Sequence, residues 1–237
     1  MKKLSHRLLI LLLIICCFGC NKYYSPPSVT PPRVTPMVVI LGSSTASGTG
    51  ASPIDSAWAY RLASTYKDNS HKTNFINLAV DGNTLYQSMP SGNYVDGRPT
   101  PDTTANITKA LQYHPNLVML SFPSNDIAAN YSDNEILNNY AKLTFVLDSA
   151  KVAYIIFSTQ PRDFSDPAQR MRLKTLNDEI KAIYTYHVND FLDQLSTSTY
   201  SINPLYSAGD GIHLNNAGHA VIYNATIKHP IFINAVE

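Results

Sequence analysis

The chain reads as one α/β domain, a three-layer α/β/α sandwich around a five-stranded parallel sheet. Two observations predict it. From Met37 onward, apolar runs of strand length alternate with patterns of helical period. The strand runs are short, apolar on both faces and rich in β-branched residues, which a parallel sheet covered by helices on both sides requires. Helix-start signals then punctuate the alternation, and right-handed crossovers complete the three layers.

In chain order, the run Val38–Leu41 precedes a helical pattern over Ser56–Lys67, and Asn74–Ala79 precedes one over Thr103–Tyr113. Asn116–Phe122 is followed by Asp133–Ala150, Ala153–Ser158 by Pro167–Tyr186, and His187–Leu192 by Asn215–Lys228. Asp102 or Thr103, Ser132 and Asp166 stand where N-caps belong, and Pro167 takes a first helical position. Met89–Pro101 and Thr197–Gly209 are long loops rich in Gly, Pro, Ser and Tyr. No internal repeat or second globular domain is visible.

Residues 1–20 are not expected to join this fold. Lys2, Lys3 and Arg7 form a positive segment, Leu8 to Ile15 an apolar one, and Gly19 then precedes Cys20. That apolar stretch is too short for a permanent span, and its flanks read as an export signal. Cys20 resembles the cysteine of a bacterial lipobox, whose thiol is lipidated and becomes the mature N-terminus, although Cys17 and Phe18 depart from the usual pattern. The expectation is a protein of the bacterial cell envelope, lipid-anchored to membrane on its periplasmic or outer face. Residues 21–36 carry five prolines and read as a stiff tether. At about 3.1 Å per residue it reaches roughly 50 Å. The globular domain is expected over residues 37–237.

Cys16, Cys17 and Cys20 are the only cysteines, so the domain has no disulfide and no thiolate metal site. Its stability must come from the core, which roughly 200 residues suffice to build. The full chain has 18 basic and 17 acidic residues; loss of Lys2, Lys3 and Arg7 leaves 15 against 17, a balance of −2. No basic run marks a nucleic-acid partner. His71, His114, His187 and His229 lack ligand spacing, so no metal or other cofactor is expected. Asn106, Asn130 and Asn224 head glycosylation sequons, which are discounted for a bacterial lipoprotein. No protein partner is evident.

In an open parallel sheet, ligands bind beyond the carboxyl ends of the strands. Ser44 follows the first run, Asp81-Gly82 the second, Asn125-Asp126 the third and Gln160 the fourth. A carboxylate and an imidazole, Asp210 and His213, lie three residues apart in Gly209-Asp210-Gly211-Ile212-His213. On a straight strand they could not meet, but a glycine-containing loop can fold the carboxylate back. A serine becomes a nucleophile when a base takes its proton and a third group orients that base. Acyl transfer also builds charge on a carbonyl oxygen, and preorganised donors stabilise it. Ser44 N–H, Gly82 N–H and the Asn125 amide are three such donors, and a glycine lets a substrate approach the backbone closely.

These blocks resemble the SGNH (also called GDSL) hydrolase family. Gly42-Ser43-Ser44-Thr45 is similar to its nucleophile block, with Ser43 in place of the usual Asp. Asn77-Leu78-Ala79-Val80-Asp81-Gly82 is similar to the second block, and Pro123-Ser124-Asn125-Asp126 to the Gly-x-Asn-Asp block, with Pro123 in place of Gly. Asp210-Gly211-Ile212-His213 is similar to the terminal Asp-x-x-His block. The resemblance spans residues 42–213 in the family's order and implies a flavodoxin-like SGNH hydrolase fold. It implies Ser44, His213 and Asp210 as a catalytic triad, and Ser44, Gly82 and Asn125 as an oxyanion hole. Taken singly, each residue also admits a plainer role: Ser44 and Asn125 as caps, Gly82 as a turn, His213 as a surface histidine. His219 reads as an ordinary helix residue, and Trp58 and Tyr60 as packing.

Rival readings fail on particular residues. A nucleophile elbow needs glycine at 46, where Ala46 stands; Gly42, Gly48 and Gly50 match no phosphate loop. The resemblance implies an esterase acting on small O-acetyl groups, longer lipid acyl chains or thioesters. Tyr86, Asn93, Tyr94, Asp96, Arg98, Tyr131, Gln160, Arg162, Tyr200 and Tyr206 make the loops at the expected active edge polar and aromatic, which favours carbohydrate O-deacetylation. The alternatives are a lysophospholipase- or thioesterase-like acyl hydrolase, and a non-catalytic surface carbohydrate-binding lipoprotein. Arg98 and Arg162 are open: each either reads a substrate carboxylate or caps a loop.

Overall fold

In the computed structural model, which describes residues 35–67, 72–122 and 124–236, five parallel strands form one sheet. They are β1 (Met37–Gly42), β2 (Asn74–Asn77), β3 (Leu117–Ser121), β4 (Ala153–Phe157) and β5 (Val188–Asn189), in the order β2-β1-β3-β4-β5. β1 is an inner strand, pairing Val39 with Ile76 on one side and with Val118 on the other. Chain order reverses at β1, so the crevice beyond its carboxyl end is where such a sheet receives ligands.

Side-chain alternation along the strands builds two cores. Val39, Leu41, Val118, Leu120 and Ile156 point to one face, where α5 (Asp133–Ser149) and α6 (Pro167–Tyr184) cover them with Tyr140, Leu143, Leu176 and Ile180. Val38, Ile40, Met119, Ile155 and Phe157 point to the other. There α2 (Trp58–Lys67), α8 (Asn216–Thr226) and α9 (Pro230–Val236) supply Trp58, Leu62, Ile222 and Phe232. β1, β3 and β4 therefore bury both faces, as their continuous apolar runs require, while the edge strand β2 is only half-covered. The three-layer α/β/α sandwich is the predicted fold class.

Short helices fill the sheet's carboxyl edge: α1 (Ser44–Ser47), α4 (Ser124–Ala128) and α7 (Leu192–Leu195), with α3 (Ile107–Leu111) between β2 and β3. Ser132 closes a capping box with Glu135, and Asp166 accepts from the Ala168 N–H ahead of Pro167's helix. The structure corrects three expectations. The Thr103–Tyr113 helix shrinks to α3, and its cap is Asn106, which accepts from Lys109 N–H at 2.9 Å; Asp102 instead closes a turn onto Thr104 N–H. The strand expected over His187–Leu192 keeps two residues, because Phe191 N–H turns to Ser158 Oγ at 3.0 Å and the apolar run continues as α7. β2 ends at Asn77 rather than Ala79, although Leu78 and Val80 N–H still reach Ile40 and Gly42 carbonyls. The export signal, Cys20, most of the proline-rich tether and Pro123 lie outside the described residues.

Candidate active site

β1 ends at Gly42, and the chain turns at once into α1, which puts Ser44 at the carboxyl end of that inner strand. Gly42 is confined: a Cβ there would sit 2.7 Å from Ala46 Cβ and 2.9 Å from the Ser121 carbonyl oxygen. Only glycine lets the helix fold back so tightly on β1 and β3. Ser44 itself is 8% exposed. Its loop is tied down from several directions. Ser47 and Thr49 hydroxyls donate to the Asp81 carboxylate, Asn77 Nδ2 donates to Ala46 O at 2.7 Å, and the Thr45 hydroxyl donates to Gln160 Oε1.

The structure brings Ser44, His213 and Asp210 together. His213 Nε2 lies 3.0 Å from Ser44 Oγ, and His213 Nδ1 lies 2.6 Å from Asp210 Oδ2. An ionised carboxylate only accepts, so Nδ1 carries the proton and the Nε2 lone pair faces the serine hydroxyl. Asp210 Oδ1 is meanwhile held by the backbone N–H groups of Ile212 at 2.9 Å and His213 at 2.8 Å. The fold-back that lets a carboxylate meet an imidazole three residues away needs Gly209 at φ +96° and Gly211 at φ +74°. Burial pushes the Asp210 carboxyl up, but the His213 and Ile212 N–H groups and the imidazole outweigh it and hold it at about 2. Asp210 therefore stays charged wherever the imidazole needs an acceptor.

Asn125 reaches the residue that follows Gly82. Gly82 closes an exposed turn at φ +81° with open space beside it, and Asn125 Nδ2 donates to the neighbouring Asn83 O at 3.1 Å. The amide's other N–H remains available. Among the described residues, the Ser44 and Gly82 N–H groups donate to nothing. A hydroxyl donating to an oriented imidazole, beside unspent N–H donors, has the chemical parts of a nucleophile and an anion cradle.

Several groups that sequence reasoning passed over or left open hold this site. Gln160 bridges the loops that carry Ser44 and His213: it accepts from Thr45 and donates through Nε2 to Ile212 O at 2.7 Å. His219 is fully buried on α8. Its Nδ1 accepts from Trp58 N–H at 3.4 Å and its Nε2 faces Thr49 O at 3.2 Å, which fixes a neutral tautomer. Desolvation lowers its pKa to about 4. Asp126, next to Asn125, is fully buried and accepts from Leu85 N–H at 3.0 Å. Their signal was position alone: each polar residue follows a strand or faces one that does.

Arg98 caps rather than reads. It makes two bonds to Glu135 on α5 and lies 4.5 Å over the Tyr131 ring, while the Tyr86 hydroxyl donates to the same carboxylate. Tyr86 and Tyr131 are buried and pack edge to face at 5.3 Å. These tyrosines thus fasten the long loop instead of lining a sugar site. Arg162 is different; its Nη1 donates to Asn125 Oδ1 at 3.1 Å. The described residues contain no group of three or more His, Cys, Asp or Glu able to hold a metal ion, and no helix long and apolar enough to cross a membrane.

The model of the GDSL-like lipase/acylhydrolase family matches residues 40–221. No curated protein matches the chain in sequence. Among solved structures, the chain is similar to TesA at 14% identity and TM-score 0.63, covering 84% of this chain and 99% of that one. It is similar to the psychrotrophic esterase EstA from Pseudoalteromonas sp. at 15% identity and TM-score 0.59, covering 81% and 95%. A GDSL-like lipase from Bacteroides thetaiotaomicron matches at 19% identity and TM-score 0.59, over 84% and 88%. These likenesses speak for the fold, while the family match spans most of the globular part. The chain belongs to the GDSL-like lipase/acylhydrolase family and is a carboxylic ester hydrolase.

Proposed function

We propose that the protein is a serine esterase that removes small acyl groups, above all O-acetyl groups on carbohydrate. The observation that carries the reading is the chain of contacts from Ser44 Oγ to His213 Nε2 at 3.0 Å and from His213 Nδ1 to Asp210 at 2.6 Å. In this mechanism His213 takes the Ser44 proton as Oγ attacks the ester carbonyl. The carbonyl oxygen gains charge against Ser44 N–H, Gly82 N–H and the free Asn125 N–H, worth several kcal/mol in the transition state. His213 then gives its proton to the departing alcohol, leaving an acyl-serine. Water, deprotonated by His213, attacks that ester; the acyl–Oγ bond breaks, Ser44 Oγ takes the proton back from His213, and the carboxylic acid departs. Asp210 keeps the imidazole in one tautomer and stabilises its cation.

Support for a small acyl group comes from the rim. Asp81, Gly82, Asn125, Arg162 and Asp210, exposed or half-buried on the loops that carry the site, are polar or lack a side chain, with Val80 and Ile212 as isolated apolar neighbours, whereas a long-chain groove is continuously apolar. The rim rather than the tyrosines now carries the carbohydrate reading. Membrane attachment through a lipid on Cys20, with export to the cell envelope, completes the proposal. It predicts a diacylglyceryl mass on the mature N-terminal cysteine.

Hydrolysis of p-nitrophenyl acetate, butyrate and octanoate by the purified protein and by Ser44→Ala tests it. Turnover that falls as the chain grows, and drops on the order of 10⁴-fold or more in the variant, is expected. Octanoate as the best substrate would favour the lipid acyl hydrolase instead. Equal rates for the two proteins would overturn the triad.

A further inference from the structure

Arg162 lies on the loop after β4, half-buried, and one of its N–H groups donates to Asn125 Oδ1 at 3.1 Å. Its guanidinium carbon sits 5.2 Å from the Phe164 ring centroid. The other described arginines are better satisfied. Arg98 and Arg172 pair with Glu135 and Asp133. Arg61 and Arg170 each place two or more N–H groups on backbone carbonyls. A guanidinium has five N–H donors, and Arg162 spends one.

The carboxylate whose charge acts on it, Asp210, is already used. Asp210 raises the Arg162 pKa through space, yet burial lowers it by more, and no hydrogen bond or ion pair joins the two. Asp210 Oδ1 holds the Ile212 and His213 N–H groups, and Oδ2 holds the imidazole. A partly desolvated cation with no anion bonded to it is costly. The arrangement is complete only when an anion arrives.

The neighbours say where that anion sits. On one side is Asn125, the proposed oxyanion donor. On the other, Asp163 N–H donates to Gly211 O at 2.9 Å and binds the Arg162 loop to the Asp210–His213 segment. The imidazole protonates the leaving alcohol, so a cation between Asn125 and that segment borders the alcohol half of the ester.

We infer that Arg162 is a specificity residue that receives a carboxylate carried by the alcohol half of the substrate, so that O-acylated sugar acids and other hydroxy-acid esters are the preferred class. This rests on the Ser44 esterase reading. A guanidinium fork offers two parallel N–H groups to a planar carboxylate. The Asn125 bond and the Phe164 ring hold that fork in place before the substrate enters. The same Asn125 bond leaves Arg162 a second effect, on the orientation of the oxyanion amide, which acts equally on acidic and neutral esters.

The test compares acetate release from acetylated glucuronic acid and acetylated glucose by the wild type, Arg162→Met and Arg162→Lys. The wild type is expected to favour the acid at least about tenfold in kcat/KM, because an unpaired buried donor discriminates strongly. That ratio should approach one in Arg162→Met and be intermediate in Arg162→Lys, even where both rates fall together through Asn125. Equal wild-type rates, or a preference that survives in Arg162→Met, would overturn the inference. So would a preference confined to p-nitrophenyl hydrogen succinate over p-nitrophenyl acetate, which places the anion on the acyl half. Calorimetric binding of glucuronate against glucose by Ser44→Ala reads the same subsite without turnover. Absent p-nitrophenyl acetate hydrolysis with glucuronate-selective binding would therefore remove the esterase reading and leave the Arg162 subsite standing.

Discussion

Asp126→Asn should change how stability depends on pH. The Asp126 carboxyl is fully buried at the start of α4, beneath the segment that follows Gly82, and accepts from Leu85 N–H at 3.0 and 3.3 Å. Burial raises its pKa from the ordinary 3.8 to about 8, with Glu135 adding to the rise and the Leu85 N–H opposing it. The folded protein then binds a proton that the unfolded chain has released, from about pH 4 to pH 8. Stability falls as pH rises whenever the native state holds more protons. The contribution is complete below 3.8 and lost as pH passes about 8. At about 1.4 kcal/mol per pH unit the ceiling is roughly 6 kcal/mol, and relaxation around the carboxylate lowers it. An asparagine keeps an acceptor for Leu85 N–H but buries an amide N–H₂, at a cost of about 1–3 kcal/mol. The variant should thus gain steadily on the wild type in stability from pH 5 to pH 9. Urea midpoints at pH 5, 7 and 9 measure this. Parallel curves for the two proteins would refute a neutral, buried Asp126.

Two further substitutions probe how the loops are held. In Gly50→Ala, the new Cβ would lie 2.3 Å from Leu214 O and 3.0 Å from His213 Cβ, at φ +94°. Melting should fall by an amount equivalent to about 2–4 kcal/mol, and kcat should fall with it because the carbonyl after His213 must move. Gln160→Leu removes both the Thr45 and the Ile212 bonds, so the Ser44 and His213 loops lose their bridge. The expected result is a stability loss of about 1–3 kcal/mol and a roughly tenfold lower kcat at unchanged KM. A KM effect alone would mean that Gln160 touches substrate instead of positioning the loops.

Where sequence reading succeeded, the cause was local. The runs Val38–Leu41 and Ala153–Ser158 contain apolar residues at consecutive positions, so any strand they form must bury both faces. Ser132 and Asp166 cap because the partners they need, Glu135 and Ala168, lie within three residues. The fold-back of Asp210 onto His213 was legible for the same reason, since Gly209 and Gly211 flank the carboxylate. Where it failed, the deciding contact was distant. Asp102 and Asn106 are both credible caps, and Asn106 is held from Ser91, whose hydroxyl accepts from its amide at 2.9 Å. The apolar run after His187 became half strand and half helix because Ser158 on another strand's end captured Phe191 N–H.

By itself, then, the sequence determined the class of fold, the order of its elements, and which residue types gather at the carboxyl edge of the sheet. Those depend on periodicity, turn chemistry and spacing, all carried by neighbours along the chain. Only the tertiary structure decided which polar groups are spent and which are free. It committed Arg98 to Glu135, sealed Asp126 under Leu85 and made Gln160 a bridge, while leaving Arg162 with one bond beside Asn125. The energy of a charge or a donor depends on the solvent it has lost and the partner it has gained. Both are supplied by segments tens of residues apart, which the sheet brings to within hydrogen-bonding distance.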